Sequence, residues 1–376
     1  MFPLVLTRCA APVLAGCAAL TLAACGQQPV RATSHPATAR PTSAAPAASP
    51  SPGPTVSPAA AAAQPGPLVV VRSPNGAVAA ATPDGTIVWS FDPARLGIST
   101  PSLVTGGSGL FVYGGGQVAV IDRAGAIVGH GTYSKGPALS WYPDIFPSPT
   151  GALWTWTTLD AAPGQGTANP GPQVSSLWVA GSGQAPRRVR TWTGDYSAAA
   201  RQWSDAGIVV LKVTDMCGWD VHSSELVDPA TGSETPLFGA ALVPLDVHAG
   251  VQVAMSTDTP SVQVAGAARL TRTFDLPVQK AGVAPSGDRL FVTTFGMTGC
   301  GGVPRAMTAV IDAGSGSATA IDGFFADAWL DDDHLLGRTL TPEANNGMKW
   351  SAHLQVADLA GSRSDLVLGT LVGVLR

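Results

Sequence analysis

The chain is 376 residues long, carries a formal net charge of −4 and has only 12% charged residues. Its four lysines and its single short basic run, Arg187-Arg188-Val189-Arg190, leave no clustered cations of the kind a phosphate backbone requires, which excludes nucleic acid as a partner. Hydrophobic residues make up 45%, and 44 glycines and 32 prolines are spread among Val, Thr and Trp. That is the composition of many short strands joined by tight turns, and no long stretch keeps apolar residues at helical spacing.

The chain opens on a targeting segment that does not belong to the fold. Arg8 precedes an apolar run from Cys9 to Ala24, too short and too rich in Ala for a durable membrane span. The run ends in Leu22-Ala23-Ala24-Cys25-Gly26, which resembles the lipobox of bacterial lipoproteins. The resemblance implies a signal peptide over 1–24 and a diacylglycerol on the thiol of Cys25. Leu14-Ala15-Gly16-Cys17 has the same residue pattern, but it leaves barely a hydrophobic region behind Arg8, so Cys25 is the expected site. A plain secretory signal is the other reading. Each buried methylene of an acyl chain adds about 0.8 kcal/mol, so two or three chains anchor the protein at the outer face of the cell membrane. Residues 25–66 then form a Pro, Ala, Ser and Thr tether without an aromatic residue, which cannot bury enough surface to fold. The excess of Arg over Lys and the Ala-Pro tether look like a protein of a high-GC actinobacterium.

From residue 67 onward one weak motif returns seven times: a β-rich segment, a small or polar residue, a Gly-containing turn and a second β-rich segment. The residues before the turns are Thr82, Asp122, Ala180, Asp228, Ala265, Asp312 and Asp358, spaced 40, 58, 48, 37, 47 and 46 apart. A period in the forties with several strands per repeat is the pattern of propeller blades. Residues 67–376 are therefore expected to be all-β, a seven-bladed β-propeller of four-stranded antiparallel blades. In the sixth unit the four strands read as Val278 to Ala284, Arg289 to Phe295, Arg305 to Asp312 and Ser317 to Ile321. The first unit lacks an inner strand, while Thr370-Leu-Val-Gly-Val-Leu-Arg376 is left over at the other end. The C-terminal strand is predicted to close the ring as that missing strand, which would remove an exposed edge. Val283-Ala-Pro-Ser-Gly-Asp-Arg-Leu-Phe-Val292 and Trp329-Leu-Asp-Asp-Asp-His-Leu-Leu336 resemble the WD40-like and TolB-like repeats of bacterial exported proteins. Asp84-Gly-Thr-Ile-Val-Trp-Ser-Phe91 leans toward quinoprotein-type repeats. Both likenesses imply a fold and carry no catalytic residue.

The chemistry-bearing residues point to binding. Cys217 and Cys300 stand in Cys-Gly contexts in equivalent connections of two blades. An even pair in an exported protein is expected to form a disulfide, worth about 4.5 kcal/mol for a loop of this length. Neither has a His or carboxylate at ligand spacing, so no metal and no cofactor is expected. Asp331-Asp332-Asp333 falls at a turn between first and second strands, where acidic residues are commonplace. Long connections gather between second and third strands, on one face: Asp160 to Gln173, Asp215 to His222, Gly296 to Arg305 and Thr341 to His353. Insertions confined to one face mark a recognition surface. Its candidate residues are Trp219, Asp220, His222, Arg305, Glu343, Asn345, Asn346, Lys349 and Trp350. Aromatic and Arg anchors with a polar rim suit an envelope protein or glycan as partner. The protein is thus read as a monomeric extracytoplasmic binding scaffold. The alternative is a propeller hydrolase or lyase working at the channel mouth, which would need several of Asp144, Asp205, Asp246, His248 and Asp327 to converge. A purely structural role in the envelope is the third possibility.

Overall fold

The computed structural model describes residues 66–161, 172–215, 220–266, 269–297, 304–342, 348–351 and 353–376. Residues 1–65, on which the expected signal peptide, Cys25 and nearly all of the expected tether fall, lie outside them, as do Cys217, Trp219, Cys300, Glu343, Asn345 and Asn346. The described residues form seven antiparallel sheets of at least four strands each, one per blade, with a single 3₁₀ turn at Pro93–Leu96 as the helical element. The inner strands, in ring order from blade one, are Thr370–Leu375, Ser102–Gly106, Phe146–Pro147, Ser197–Ser204, Leu242–His248, Val278–Val283 and Phe324–Trp329. Each packs against the next, and Phe324–Trp329 returns to Thr370–Leu375. The ring is closed.

The closing strand explains why the first unit looked incomplete. Thr370–Leu375 pairs antiparallel with Leu68–Arg72, matching Leu68 with Leu375 and Arg72 with Thr370. The Leu68-Val-Val-Val run is apolar throughout because it is covered on both sides. Leu68 and Val70 face the core shared with blade two, whereas Val69 and Val71 pack with Leu336, Leu354 and Val367 of blade seven. Leu375 and Val374 are likewise buried, on opposite sides of the strand. Gly373 is required here by proximity: a Cβ on it would lie 2.0 Å from Thr105 Oγ1 of blade two.

The recurring motif is a capped turn between third and outer strands. In blade two, Asp122 Oδ1 accepts from Ala124 N and Ala126 N, both at 2.9 Å, and Gly125 takes a left-handed φ of 82°. Asp228 caps its turn through the backbone N–H groups of Thr231 and Ala230, Asp312 through that of Ser315 and Asp358 through that of Ser362. These N–H donors hold the three carboxyls below the usual carboxylate range, as the Thr82 and Thr86 donors do for Asp84. Short polar side chains that bond their own backbone, followed by a glycine that tolerates positive φ, are what such turns require. The motif therefore encodes turn geometry, which is why it revealed the fold without revealing a ligand.

Candidate site on the loop face

Alternation of strand direction divides the molecule into two faces. First-to-second and third-to-fourth turns emerge on one, here the turn face; second-to-third and fourth-to-first connections emerge on the other, the loop face. On the loop face lies a cavity of about 840 Å³ lined from three neighbouring blades. Blade one contributes Arg72, Ser73 and Thr370, blade two Ser102 and Tyr113, and blade seven Arg338, Trp350 and Ser351. Among the described residues two arginines, Arg72 and Arg338, line it and no Asp or Glu does.

Each side chain is held by ordinary sheet and turn chemistry. Arg72 ends the second strand of blade one, opposite Thr370 of the closing strand. Ser73 begins the next turn, its backbone N–H donating to the Ala77 carbonyl at 2.8 Å. Tyr113 ends the second strand of blade two, and its hydroxyl donates to Asp144 Oδ1 at 3.0 Å. Burial, and then the Asp144 charge, push the Tyr113 phenol well above its ordinary value, so it keeps its proton. Arg338 sits in His334–Pro342, across from Phe325. Its Nε is shielded from solvent and has no hydrogen-bond partner. Trp350 belongs to the short strand Met348–Trp350, which pairs with the end of His334–Pro342. Its ring meets Phe295 at 6.0 Å and Phe325 edge-on at 5.5 Å. The Ser351 amide donates to the Thr339 carbonyl at 2.9 Å, fixing the corner that presents Trp350.

An aromatic ladder leads away from the cavity. Tyr113 meets Tyr133 at 6.0 Å, and Tyr133 meets Tyr142 at 5.3 Å, both edge-on. Burial pushes the Tyr133 phenol up to about 12. Lys135 Nζ lies 5.8 Å from the Tyr142 ring centre. Beside Tyr142, Trp141 is 61% exposed, the most exposed large aromatic among the described residues. This ladder stands on the fourth-to-first connection between blades two and three, a long loop that the sequence reading passed over. Its signal was present in Ser140-Trp141-Tyr142-Pro143, an aromatic pair between two turn-forming residues.

Of the described residues expected on the binding face, Trp350 alone lines the cavity. Arg305 and Lys349 fall on the same side of the ring, in blades six and seven, and Arg305 Nη2 pairs with Asp322 Oδ1 at 2.9 Å. Asp220 and His222 belong to blade four, where the His222 ring stacks on Tyr196 at 5.2 Å. Five of the candidates placed in loops are strand residues: Asp220 and His222 in Asp220–Val227, Arg305 in Pro304–Asp312, and Lys349 and Trp350 in Met348–Trp350. The connections are shorter than expected because paired backbone extends into them.

The five groups on which a catalytic reading would depend are dispersed. Asp246 accepts from Gln202 Nε2 and Val283 N, both at 2.7 Å, and so ties blades four and six across the inner strand of blade five. Desolvation there raises its carboxyl. Asp327 lies 3.6 Å from Lys280 Nζ. His248 Nε2 approaches the Pro285 carbonyl at 3.3 Å. Asp144 is engaged by Tyr113, and Asp205 is exposed in the turn after Ser197–Ser204 rather than in an inner strand. None of the five lines the cavity. The Asp331-Asp333 run is taken up locally: Asp332 Oδ1 accepts from Ser286 N, Asp333 pairs with Arg289, and Asp331 meets His334.

No family model and no curated protein matches the chain. Solved structures match its fold at low identity. The acylaminoacyl peptidase of Pyrococcus horikoshii aligns over 77% of this chain and 47% of its own, at 12% identity and a TM-score of 0.53. A prolyl endopeptidase aligns over 81% and 49%, at 11% identity and 0.51. The chain thus spans about half the length of either peptidase, and the likeness is one of fold.

Proposed function

We propose that this propeller is a non-catalytic binding module of the cell envelope, tethered to the outer face of the membrane through Cys25, which captures a glycan in the cavity on its loop face. The observation that carries this reading is the cavity itself: a concave site within the usual size of ligand pockets, walled by Tyr113 and Trp350, with hydroxyls and two guanidinium groups at its rim. On the same face the exposed Tyr142 and Trp141, backed by the buried Tyr133, offer further aromatic surface for stacking a sugar ring. A protein partner would need a broader surface of roughly 800 Å² per side. A hydrolase or lyase reading draws no support from the five dispersed side chains.

The test is photo-crosslinking in intact cells, with a benzophenone amino acid at position 141 on the loop face or at position 205 on the turn face. Adducts with envelope polysaccharide from position 141 and none from 205 are expected. Protein adducts alone, or equal yields from the two positions, would contradict the reading.

A further inference from the structure

The charge of the cavity narrows its ligand. Arg72 and Arg338 both line it, and neither side chain has a hydrogen bond or ion pair among the described residues. Several guanidinium groups elsewhere on the ring are paired. Arg123 Nη1 donates to the Leu375 carbonyl at 3.0 Å, Arg289 meets Asp333, and Arg376 Nη2 donates to the Trp329 carbonyl at 2.8 Å. A guanidinium with its Nε shielded and unbonded is costly, because desolvation is not offset by a partner. The exposed Arg72 stands beside it, and with no Asp or Glu among the described lining residues the two cations concentrate positive potential there. A third feature lies at the rim. Thr100, just before the lining residue Pro101, holds a left-handed φ of 45°, a conformation that costs a β-branched residue about 1–3 kcal/mol and tends to persist at ligand sites.

Resting on the binding-face reading, we infer that the cavity is an oxyanion site: Arg338 and Arg72 receive a carboxylate or phosphate group carried on a sugar, whose ring lies against Trp350 and Tyr113. The guanidinium fork matches both oxyanions, each able to accept two parallel N–H bonds. Ser73, Ser102, Ser351 and Thr370 line it too; the Ser73 and Ser351 hydroxyls, which donate to the Ala77 and His353 carbonyls, can still accept from a sugar's own hydroxyl groups. Nothing on this wall discriminates the two anions, so they must be separated by experiment.

The experiment is calorimetric titration of the full-length protein in detergent with glucuronate, glucose 6-phosphate and neutral glucose, each at roughly millimolar concentration and at two ionic strengths. At least one charged sugar is expected to bind ten times more tightly than glucose, and less tightly at high salt. Whichever of the two binds identifies the anion. Arg72→Ala, at an exposed position, and Arg338→Met are each expected to weaken that binding by tenfold or more; Arg72→Ala keeps the test decisive if Arg338→Met folds poorly. Glucose binding as tightly as the charged sugars, no binding of either charged sugar, or wild-type affinity in both arginine variants would overturn the inference. Such results with continued crosslinking from position 141 would refute the oxyanion site alone, whereas loss of that crosslinking would refute the binding face itself.

Discussion

The two faces of the ring use the same residue types for opposite ends. On the turn face, Asp122, Asp228, Asp312 and Asp358 spend their carboxylates on backbone N–H groups, Asp332 and Asp333 hold blade six, and Arg123 and Arg376 clamp the closing strand. On the loop face, Arg72 and Arg338 stand without partners around a cavity, and Trp141 and Trp350 remain partly exposed. Polar groups that satisfy one another stabilise a frame, while polar groups left unsatisfied in a concave site keep free energy in reserve for a ligand. One face is built for folding and the other for contact.

That comparison is broken most severely at the clasp. Deleting Thr370–Arg376 would expose the edge of Leu68–Arg72 and the apolar side chains beneath it. Loss of a single cooperative transition in scanning calorimetry is expected, and a deletion variant melting cooperatively near the wild-type temperature would refute closure as the stabilising element. Within the clasp, Leu375→Ala should cost about 2–5 kcal/mol in denaturant titration. Gly373→Val should cost as much, through collision with Thr105.

The clasp was legible in the sequence because a repeat that lacks a strand at one end and has one to spare at the other admits a single arithmetic. The turn aspartates were legible as well, since their chemistry is local. The cavity was not. Arg72, Tyr113 and Arg338 sit at the ends or in the middle of strands in three blades, and strand sequence reports burial and turns without reporting which strand ends meet across a ring. Trp350 was found because it lies in a long connection, and Trp141 was missed because fourth-to-first connections were not weighed as part of the same face.

Acid sharpens the comparison further. The carboxyls of Asp84, Asp228, Asp312 and Asp358 are held below the ordinary value of 3.8. A lowered folded-state value means that their contribution is complete above 3.8 and is lost as pH falls through the folded values. The thermal midpoint should therefore decline below about pH 4, and Asp312→Asn should flatten that decline. Asp246 has the opposite sign: its raised carboxyl makes its contribution less favourable as pH rises from acid. A midpoint that stays level from pH 5 to roughly pH 2 would contradict the role given to the turns.

The smallest expected stability effect belongs to the loop face. Trp141→Ala, at a side chain 61% exposed, should shift stability by less than about 0.5 kcal/mol while abolishing ring stacking with a bound glycan. Unchanged glycan retention in that variant would remove Trp141 from the site.

Thermal unfolding of two single variants without added ligand tests most directly whether one face holds the frame and the other waits. Arg123→Ala should lower the midpoint, because the Leu375 carbonyl loses a partly buried donor. Arg338→Met should leave the midpoint unchanged or raise it, because an unsatisfied guanidinium is exchanged for an apolar side chain of similar reach. A fall for Arg338→Met as large as that for Arg123→Ala would show that the loop-face arginine is structural, and the division between the faces would not stand.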